Sequence, residues 1–381
     1  MSANQTEPRE VSPLELFYDL VFVFAISQLS QHLLDDVTWR GAAETVVLLC
    51  AVFTVWIQTT FEATYFDITR RQTQTGILIA MALGLYMNAA IGDAFEHGAW
   101  AFAAALVLTQ LARGIVTATR APTPQLRQHY RRALTWMLAS APLWIVGAVV
   151  PAGPRLWVWG AAAVIDVTGI WLAHPWPHSR MNSREIAFDE AHMTERLRLF
   201  LIIALGEAIL TTATAISESP TNPPTVLAGA TGFALVPALW ALYFGGSPRI
   251  VERRTTQTAD PIWTARMGAN GQYVVLAGLV ATAVGCEIVI AHPLDGGSLA
   301  VGFLLGGGPL LYVATQSWFL HITTHRPLTR RWIGSAVLVA AIPAAVVFPV
   351  LLTLGVVAVT LIGLATYAPR RRYTAADNTV T

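Results

Sequence analysis

Two pairs of acidic side chains lie near the start of the chain in otherwise apolar sequence, and buried carboxylic acids are groups that can transfer protons. Glu15 and Asp19 are four residues apart, and Glu62 and Asp67 follow later. The four-residue spacing places Glu15 and Asp19 on one face of a helix. A charged side chain facing lipid costs about 2.5–3.5 kcal/mol on insertion scales, so we expect these acids to face a bundle interior or a wet cavity. The sequence therefore predicts an internal polar site.

The chemistry expected of these four acids is proton transfer. Burial and repulsion between like charges both favour the protonated form of a carboxylic acid, so we expect at least one of them to hold a proton near neutral pH. A neutral carboxylic acid in an apolar cavity can protonate a weak base such as an alkene or an epoxide. A proton-coupled transporter uses the same group to carry a proton. The residue types therefore leave both an enzyme and a transporter open.

The composition predicts that the elements holding these acids span a membrane. Of 381 residues, 54% are hydrophobic and 12% are charged, and the mean hydropathy is +0.53. An average soluble domain has about 25% charged residues. Cys50 and Cys286 both fall in apolar segments and show no disulfide or zinc spacing. The first apolar run contains Glu15 and Asp19 and is long enough to span, so we expect no cleavable signal.

Apolar windows of about 20 residues predict twelve transmembrane helices. They cover residues 14–34, 42–65, 75–95, 99–119, 132–150, 155–174, 197–217, 226–246, 269–291, 298–321, 332–349 and 350–368. Most arginines fall in segments on one side of this topology, whereas the other side has Arg40 and Arg155, and Arg113 lies within the fourth span. The bias predicts that both termini are cytoplasmic, in an all-α polytopic fold.

The chain is also predicted to consist of two parallel six-helix repeats. Leu16-Phe17 in the first helix matches Leu199-Phe200 in the seventh, and Tyr65-Phe66 at the end of the second matches Tyr243-Phe244 at the end of the eighth. Parallel repeats place a site at the interface between the halves. The predicted organisation is a cytoplasmic tail (1–13), a first half (14–174), a cytoplasmic linker (175–195), a second half (196–368) and a basic, polar cytoplasmic tail (369–381).

Two motifs in these helices are specific enough to indicate a family. The first is Glu15-Leu-Phe-Tyr-Asp19-Leu-Val-Phe-Val-Phe-Ala, and the second begins His192-Met-Thr-Glu195-Arg196 and ends Gly206-Glu207-Ala-Ile. With these motifs the chain resembles the low-temperature-requirement A (LtrA) family over nearly its whole length. The resemblance implies a multi-helix bacterial inner-membrane protein. The family name refers to growth in the cold, and no agreed molecular activity comes with it.

Glu62 departs from the pattern of that family. Where the family usually has Trp-x-x-Thr-Thr-Trp-Tyr-x-Asn-x-Phe-Asp, residues 56–67 read Trp-Ile-Gln-Thr-Thr-Phe-Glu-Ala-Thr-Tyr-Phe-Asp. Tyrosine is thus replaced by Glu62 and asparagine by Thr64. We expect Glu62 to lie about one and a half turns, roughly 7 Å, from Asp67, without a basic neighbour on its helix face. We expect both to share one cytoplasm-facing vestibule with Glu15 and Asp19.

The first functional hypothesis is an enzyme that cyclises an isoprenoid-bearing substrate. Glu62 would protonate a terminal alkene and Asp67 would orient it or recover the proton, with Glu15 and Asp19 completing the catalytic set. Aromatic side chains would line the cavity and stabilise carbocations through their π faces. These predicted substrate-binding residues are Trp56, Phe61, Tyr65, Phe66, Tyr18 and Phe22. The hypothesis is an analogy with membrane-bound terpene cyclases and rests on chemistry without a matching motif; it requires no cofactor.

The second hypothesis is a proton-coupled secondary transporter of a small solute, and the third is a structural or cold-stress-related membrane component. In a transporter the two halves would rock about a central site. The acids Glu62, Asp19, Glu207 and Glu287 would alternate their protonation there, whereas Asp93 and Asp166 would be pathway or hydrogen-bonding groups. Simpler interpretations remain for the first acids: Glu15 and Asp19 could cap the first turn of their helix, and Asp67 could pair with Arg70 or Arg71.

The expected partners are the lipid bilayer and a hydrophobic small molecule, and no nucleic acid. No nucleotide motif is present, which argues against an ATP-driven pump. His192-x-x-Glu195 has a metal-ligand spacing, but no second ligand pair accompanies it, so we expect no metal. Gly306-Gly307-Gly308 lacks the following lysine of a phosphate loop and indicates close helix packing.

Overall fold

The structure is a computed structural model that describes residues 10–176, 188–245, 261–324 and 328–366. Within these ranges it contains twelve helices and no β-strand. They are α1 (Pro13–Asp35), α2 (Trp39–Ala63), α3 (Arg71–Ala89), α4 (Ala99–Arg120), α5 (Pro124–Val149), α6 (Ala152–Trp171), α7 (Glu190–Glu218), α8 (Pro223–Phe244), α9 (Pro261–Ala291), α10 (Leu299–Gly302, a π-helical part Phe303–Gly307, and Gly308–Thr324), α11 (Thr329–Val347) and α12 (Val350–Thr366). The predicted all-α fold is confirmed.

Nine of the twelve described helices are long and apolar enough to cross a membrane, namely α1, α2, α4, α5 and α7 to α11. α12 is a shorter apolar helix. Large apolar side chains such as Trp157, Val347 and Val359 are exposed on the outer surface, as expected where a helix faces lipid. The protein is therefore a multi-pass membrane protein in a lipid bilayer. The count of twelve spans and the side of the termini stay predictions.

Helix boundaries follow local capping more closely than hydropathy. Ser12 and Glu15 form a reciprocal capping box at the start of α1. The side chain of Thr123 caps α5 and Pro124 occupies its first turn, so α5 begins eight residues before the predicted boundary at 132. Its first turns carry arginine and glutamine, which a hydropathy window counts as loop. The predicted linker 175–195 lies partly outside the described residues, as do the predicted tails apart from residues 10–13.

The two halves show the same order of helix contacts. In each, the first helix packs against the second and third, the third against the fourth, the fourth against the fifth, and the sixth against both the fifth and the second. Helices α1, α2, α7 and α9 form most of the contact between the halves.

Aromatic side chains fill the interface between the halves. Phe53 stacks on Trp56 with ring centroids 5.1 Å apart, and Phe200 of α7 lies 4.3 Å from Trp56. Tyr273 of α9 meets the edge of Phe53, and its hydroxyl lies 2.9 Å from that of Thr54. All these side chains are buried. The centre of the bundle is therefore packed.

Glycines bring the helices of the second half into close contact. A Cβ atom on Gly306 would lie 2.6 Å from the carbonyl oxygen of Leu338 in α11, and one on Gly278 of α9 would lie 2.6 Å from that of Gly308. The glycine triplet therefore packs α10 against both α9 and α11, in agreement with the packing expected from the sequence.

Candidate functional site

A buried ion pair joins α2 to α4. The guanidinium of Arg113 donates to Glu62 Oε1 at 2.6 Å and also donates to the side-chain oxygen of Gln58, one turn earlier on α2. The side chains of Arg113 and Glu62 are 8% and 9% exposed. A buried charge needs a partner of this kind. The sequence predicted no basic neighbour on the face of α2, and the structure supplies one from α4.

Glu62 lies on the wall of a large cavity between α2, α3 and α4. The cavity volume is about 530 Å³, and most of its lining is apolar, with Ile77, Leu83 and Val116 among the lining side chains. Its polar groups include the Glu62–Arg113 pair and four threonines. Arg70 and Arg120 also line the cavity and are exposed. The cavity thus combines an apolar body with one buried ion pair.

A second, smaller cavity of about 70 Å³ lies on another side of Glu62. Its polar lining comes from α2 and the turn after it, from α5 and α9, and from the turn after α6. These residues are Gln58, Glu62, Tyr65, His129, Tyr130, His174 and Arg266. Glu62 and Tyr65 line both cavities.

His174 is held at this cavity by an unusual backbone. Ala173 and His174 have φ values of 57° and 51°, in the left-handed region that residues other than glycine seldom adopt. The backbone N–H of His174 donates to the carbonyl oxygen of Gly169 at 2.6 Å. Burial, the neighbouring His129 and the charge of Arg132 hold the pKa of His174 well below its usual value. Its imidazole is therefore neutral at pH 7.

Glu15 and Asp19 belong to a separate, closed network. Arg196 of α7 donates to Glu15 at 3.0 Å and to Asp19 at 2.5 Å, and His192 Nε2 lies 2.9 Å from Glu15. The indole N–H of Trp56 donates to Asp19 at 2.8 Å. Asp19 is fully buried, and the guanidinium of Arg196 also lies 5.9 Å from the Trp56 ring. The network ties α1 to α2 and α7.

This arrangement corrects the expectation of one vestibule shared by four acids. Glu15 and Asp19 point to α7 because Arg196 pairs with both of them there and His192 lies against Glu15, whereas Glu62 pairs with Arg113 of α4. Neither Glu15 nor Asp19 lines either of the two cavities described. Of the predicted catalytic acids, Glu62 and Asp67 share a cavity.

Asp67 lies beyond the end of α2, at the edge of the large cavity. Its carboxylate accepts from the backbone N–H of Thr69 at 3.0 Å, from the Thr69 hydroxyl at 2.6 Å and from Arg70 at 3.3 Å. The hydrogen bonds from Thr69 and the charge of Arg70 lower the pKa of this exposed carboxyl group. Asp67 is therefore ionised at neutral pH and cannot be the proton donor.

The six predicted aromatic residues divide into two groups. Tyr65 and Phe66 line the large cavity, and Phe61 lines the small one together with Tyr65. The remaining three, Trp56, Tyr18 and Phe22, are buried in the core and line neither cavity. Half of the predicted set therefore lines a cavity, and the other half is packed in the core.

The other predicted acids lie away from both cavities. Asp166 is buried and accepts from the indole of Trp144 at 2.9 Å and from Gln110 at 3.4 Å. Asp93 is exposed in the turns after α3, and so is not within a helix as predicted; Glu207 and Glu287 are partly exposed on α7 and α9.

The two residues of the His192-x-x-Glu195 spacing have different partners. His192 contacts Glu15, whereas Glu195 pairs with Arg198 at 3.2 Å.

Arg113, His129 and His174 were not assigned to the site from the sequence. Arg113 carried a usable signal, because a basic residue inside an apolar span requires a buried acidic partner.

These features define an α-helical, multi-pass membrane protein with a ligand-sized cavity beside a buried acid–base pair. The chain belongs to the family of the bacterial low temperature requirement A protein (LtrA), whose model matches residues 10–366. It is also 30% identical over 325 residues to a protein of Rhizobium meliloti (strain 1021) named "Uncharacterized protein RA0937", covering 84% of this chain and 80% of that relative. No solved structure matches the chain significantly.

Proposed function

We propose that the protein is an enzyme of the bacterial inner membrane that cyclises an isoprenoid-bearing substrate by proton transfer from Glu62. The observation that carries the proposal is the position of Glu62 on the wall of a largely apolar cavity of about 530 Å³. Cavities of about 300–1,000 Å³ hold organic ligands of this size. An apolar chain would lie between α3 and α4, within reach of the acid.

The reaction would be an isomerisation in which all atoms are retained. Protonated Glu62 would give its proton to a terminal alkene carbon, leaving a tertiary carbocation at the neighbouring carbon. The π electrons of an internal double bond would then form the ring bond. Loss of a proton from the cyclic cation to the Glu62 carboxylate or to Asp67 would regenerate an alkene. Tyr65 and Phe66 line the same cavity and could stabilise the positive charge.

Arg113 sets a condition on this chemistry. Glu62 can donate a proton only after its ion pair with Arg113 has opened, because the paired form is the carboxylate. Arg113 must then bind another acceptor. Gln58 already provides one, since its side-chain oxygen accepts from the same guanidinium. In the opened state Arg113 would stay on Gln58, and Glu62 would be able to hold a proton.

The test is mass spectrometry of extracts from cells that make the wild type or the Glu62→Gln variant and are supplied with a farnesylated aromatic compound. We expect a new chromatographic peak at unchanged mass with the wild type and none with the variant. The matched control is Glu195→Gln, which removes a partly exposed carboxylate of α7 that lines neither cavity.

A second variant separates chemistry from folding. Glu62→Gln leaves Arg113 buried without its charged partner, whereas Glu62→Gln/Arg113→Gln removes both charges. We expect the double variant to be folded and inactive. Full conversion by either folded variant would exclude Glu62 as the acid.

Transport of a small solute is a second candidate, favoured by the equal order of helix contacts in the two halves. That order is what two parallel six-helix repeats predict, and Glu62, which lines two cavities, could pass a proton between them. A transporter with rocking halves would hold its solute at the interface between them. That interface is instead packed with Phe53, Trp56 and Phe200, which argues against transport by this mechanism. Substrate-linked proton flux in sealed proteoliposomes, lost in Glu62→Gln, would favour transport.

A further inference from the structure

The small cavity beside Glu62 is surrounded by basic side chains from three separate elements. His129 comes from α5, His174 from the turn after α6 and Arg266 from α9. Glu62 is the acid that lines it within the described part of the chain, and its charge is matched by Arg113. Tyr65, Tyr130 and Gln58 add groups that can donate hydrogen bonds. The cavity therefore offers a ligand several hydrogen-bond donors, of which the guanidinium of Arg266 carries the positive charge.

The two histidines have unused hydrogen-bonding capacity at this place. His174 is 7% exposed, and the Nδ1 atoms of His129 and His174 have no hydrogen-bond partner among the described residues. Leaving such an atom buried and unpaired costs stability, because it has lost its hydrogen bonds to water. The left-handed backbone at Ala173 and His174 adds strain, and strain of this kind is concentrated at ligand sites. Both costs are explained if the imidazoles serve a ligand.

The size of the cavity limits the ligand group. A water molecule needs about 10–15 Å³ of cavity volume. The small cavity, with about 70 Å³, therefore holds roughly five to seven groups the size of a water molecule. A phosphate, with one phosphorus and four oxygens, is of this size. Phosphate oxygens are also the acceptors that arginine and imidazole donors bind.

We propose that the small cavity binds the phosphate-type head group of an anionic amphiphile whose apolar chain occupies the large cavity. Glu62 and Tyr65 line both cavities, so one ligand can contact Glu62 between its two parts. That the apolar part of the ligand is an isoprenoid rests on the proposed function. The present inference adds that the substrate carries a negative charge. A bound anion in the small cavity would place negative charge beside Glu62 and so favour the protonated acid that the reaction requires.

Binding to the purified full-length protein in detergent tests this inference, with the rise in thermal unfolding midpoint as the measure of affinity. The probes are farnesyl monophosphate, farnesol, inorganic phosphate and a dioleoyl phosphatidic acid. We expect farnesyl monophosphate to bind at least tenfold more tightly than farnesol, which has the same chain without the charge. We expect inorganic phosphate and the two-chain lipid to bind more weakly than farnesyl monophosphate.

Three variants locate the head group. His174→Asn keeps a residue that tolerates the left-handed backbone and removes the imidazole, and Arg266→Gln removes the guanidinium. Both should reduce the preference for the phosphate about tenfold and leave farnesol binding unchanged. Arg131→Gln, an exposed residue of α5 outside both cavities, should keep the full preference.

Each contrary result overturns the inference. Equal binding of farnesol and its phosphate excludes a head-group site, and unchanged preference in both His174→Asn and Arg266→Gln places the anion elsewhere. Equal stabilisation by inorganic phosphate or by the phosphatidic acid assigns the site to a free anion or to a bilayer lipid. The proposed function fails separately: if farnesyl monophosphate binds as expected but no prenylated compound is cyclised, the head-group site stands and the chemistry does not.

Discussion

At the scale of single residues, the pairing of Glu62 with Arg113 dominates the energetics of the site. Both side chains are more than 90% buried, so removal of one leaves the other charge without compensation. We expect Glu62→Gln and Arg113→Gln each to lower the free energy of unfolding in detergent by about 3 kcal/mol. The double variant should recover at least half of the summed loss. Strictly additive losses in thermal or denaturant unfolding would show that the pair is not coupled.

The acid of this pair was predictable from the sequence, and its partner was not. Glu62 is an acid inside an apolar helix, and such a residue requires a polar partner or a polar cavity. Arg113 was visible as a basic residue within a span. The choice among buried acids depends on how α4 is rotated against α2, and rotation is set by packing across the bundle, which hydropathy does not describe. For the same reason, the sequence could not show that Glu15 and Asp19 face α7 while Glu62 faces α4.

His174 leads to a prediction about pH. The pKa of His174 is lowered in the folded protein, whereas in the unfolded chain its pKa is about 6.5. Below that pH the unfolded chain binds a proton that the folded protein does not, so stability falls as the pH is lowered. The titratable groups around the His174 imidazole are Glu62, His129, Tyr130, Arg132 and Arg266.

The loss from His174 should approach about 1.4 kcal/mol per pH unit below pH 6. Unfolding midpoints measured from pH 7.5 to 5 should therefore decline less steeply in His174→Asn than in the wild type. An identical slope in the two proteins would mean that His174 is protonated normally in the folded state.

At the scale of elements, the contact of α10 with α11 depends on the absence of a side chain at Gly306. A Cβ atom there would press on the Leu338 carbonyl oxygen at 2.6 Å and on Ile342 at 3.0 Å, so the helices would have to separate. We expect Gly306→Ala to destabilise the protein by about 1–3 kcal/mol. Gly355→Ala in α12 is the matched control, since no atom lies within 4 Å of its Cβ position, and it should be neutral or slightly stabilising. Equal unfolding midpoints for both variants would exclude close packing as the role of Gly306.

The sequence predicted which segments are helical more accurately than it predicted where each helix ends. Every predicted span overlaps one described helix, because long apolar runs have few other structures open to them. The ends of α2 and α3 were placed too late, and Asp93, which was predicted within a span, lies in a turn. Aromatic and apolar residues continue past both ends, so hydropathy had no signal there.

At the scale of the whole molecule, arginine distribution predicts a cytoplasmic location for both termini. Positions 96 and 125 are exposed and flank α4 at opposite ends. In a background of Cys50→Ala and Cys286→Ala, we expect Glu96→Cys to react with a membrane-impermeant maleimide in intact cells. Gln125→Cys should react only after the membrane is permeabilised. The reverse pattern would invert the topology, and labelling of both positions in intact cells would mean that α4 does not span.

The network around Arg196 also has a consequence for biosynthesis. Glu15 and Asp19 leave the ribosome within α1, but their neutralising partners on α7 are 177 or more residues later in the chain. At about 5–20 residues per second, these acids wait roughly 10–35 seconds for Arg196 and His192. During that interval the two carboxylates of α1 are unpaired, and their contact with lipid is unfavourable. They have to be shielded by the insertion machinery or neutralised by protonation. A fragment that ends after α6 never receives its counter-charges, so the first half should be recognised by quality-control proteases as an orphan rather than persist as an independent unit.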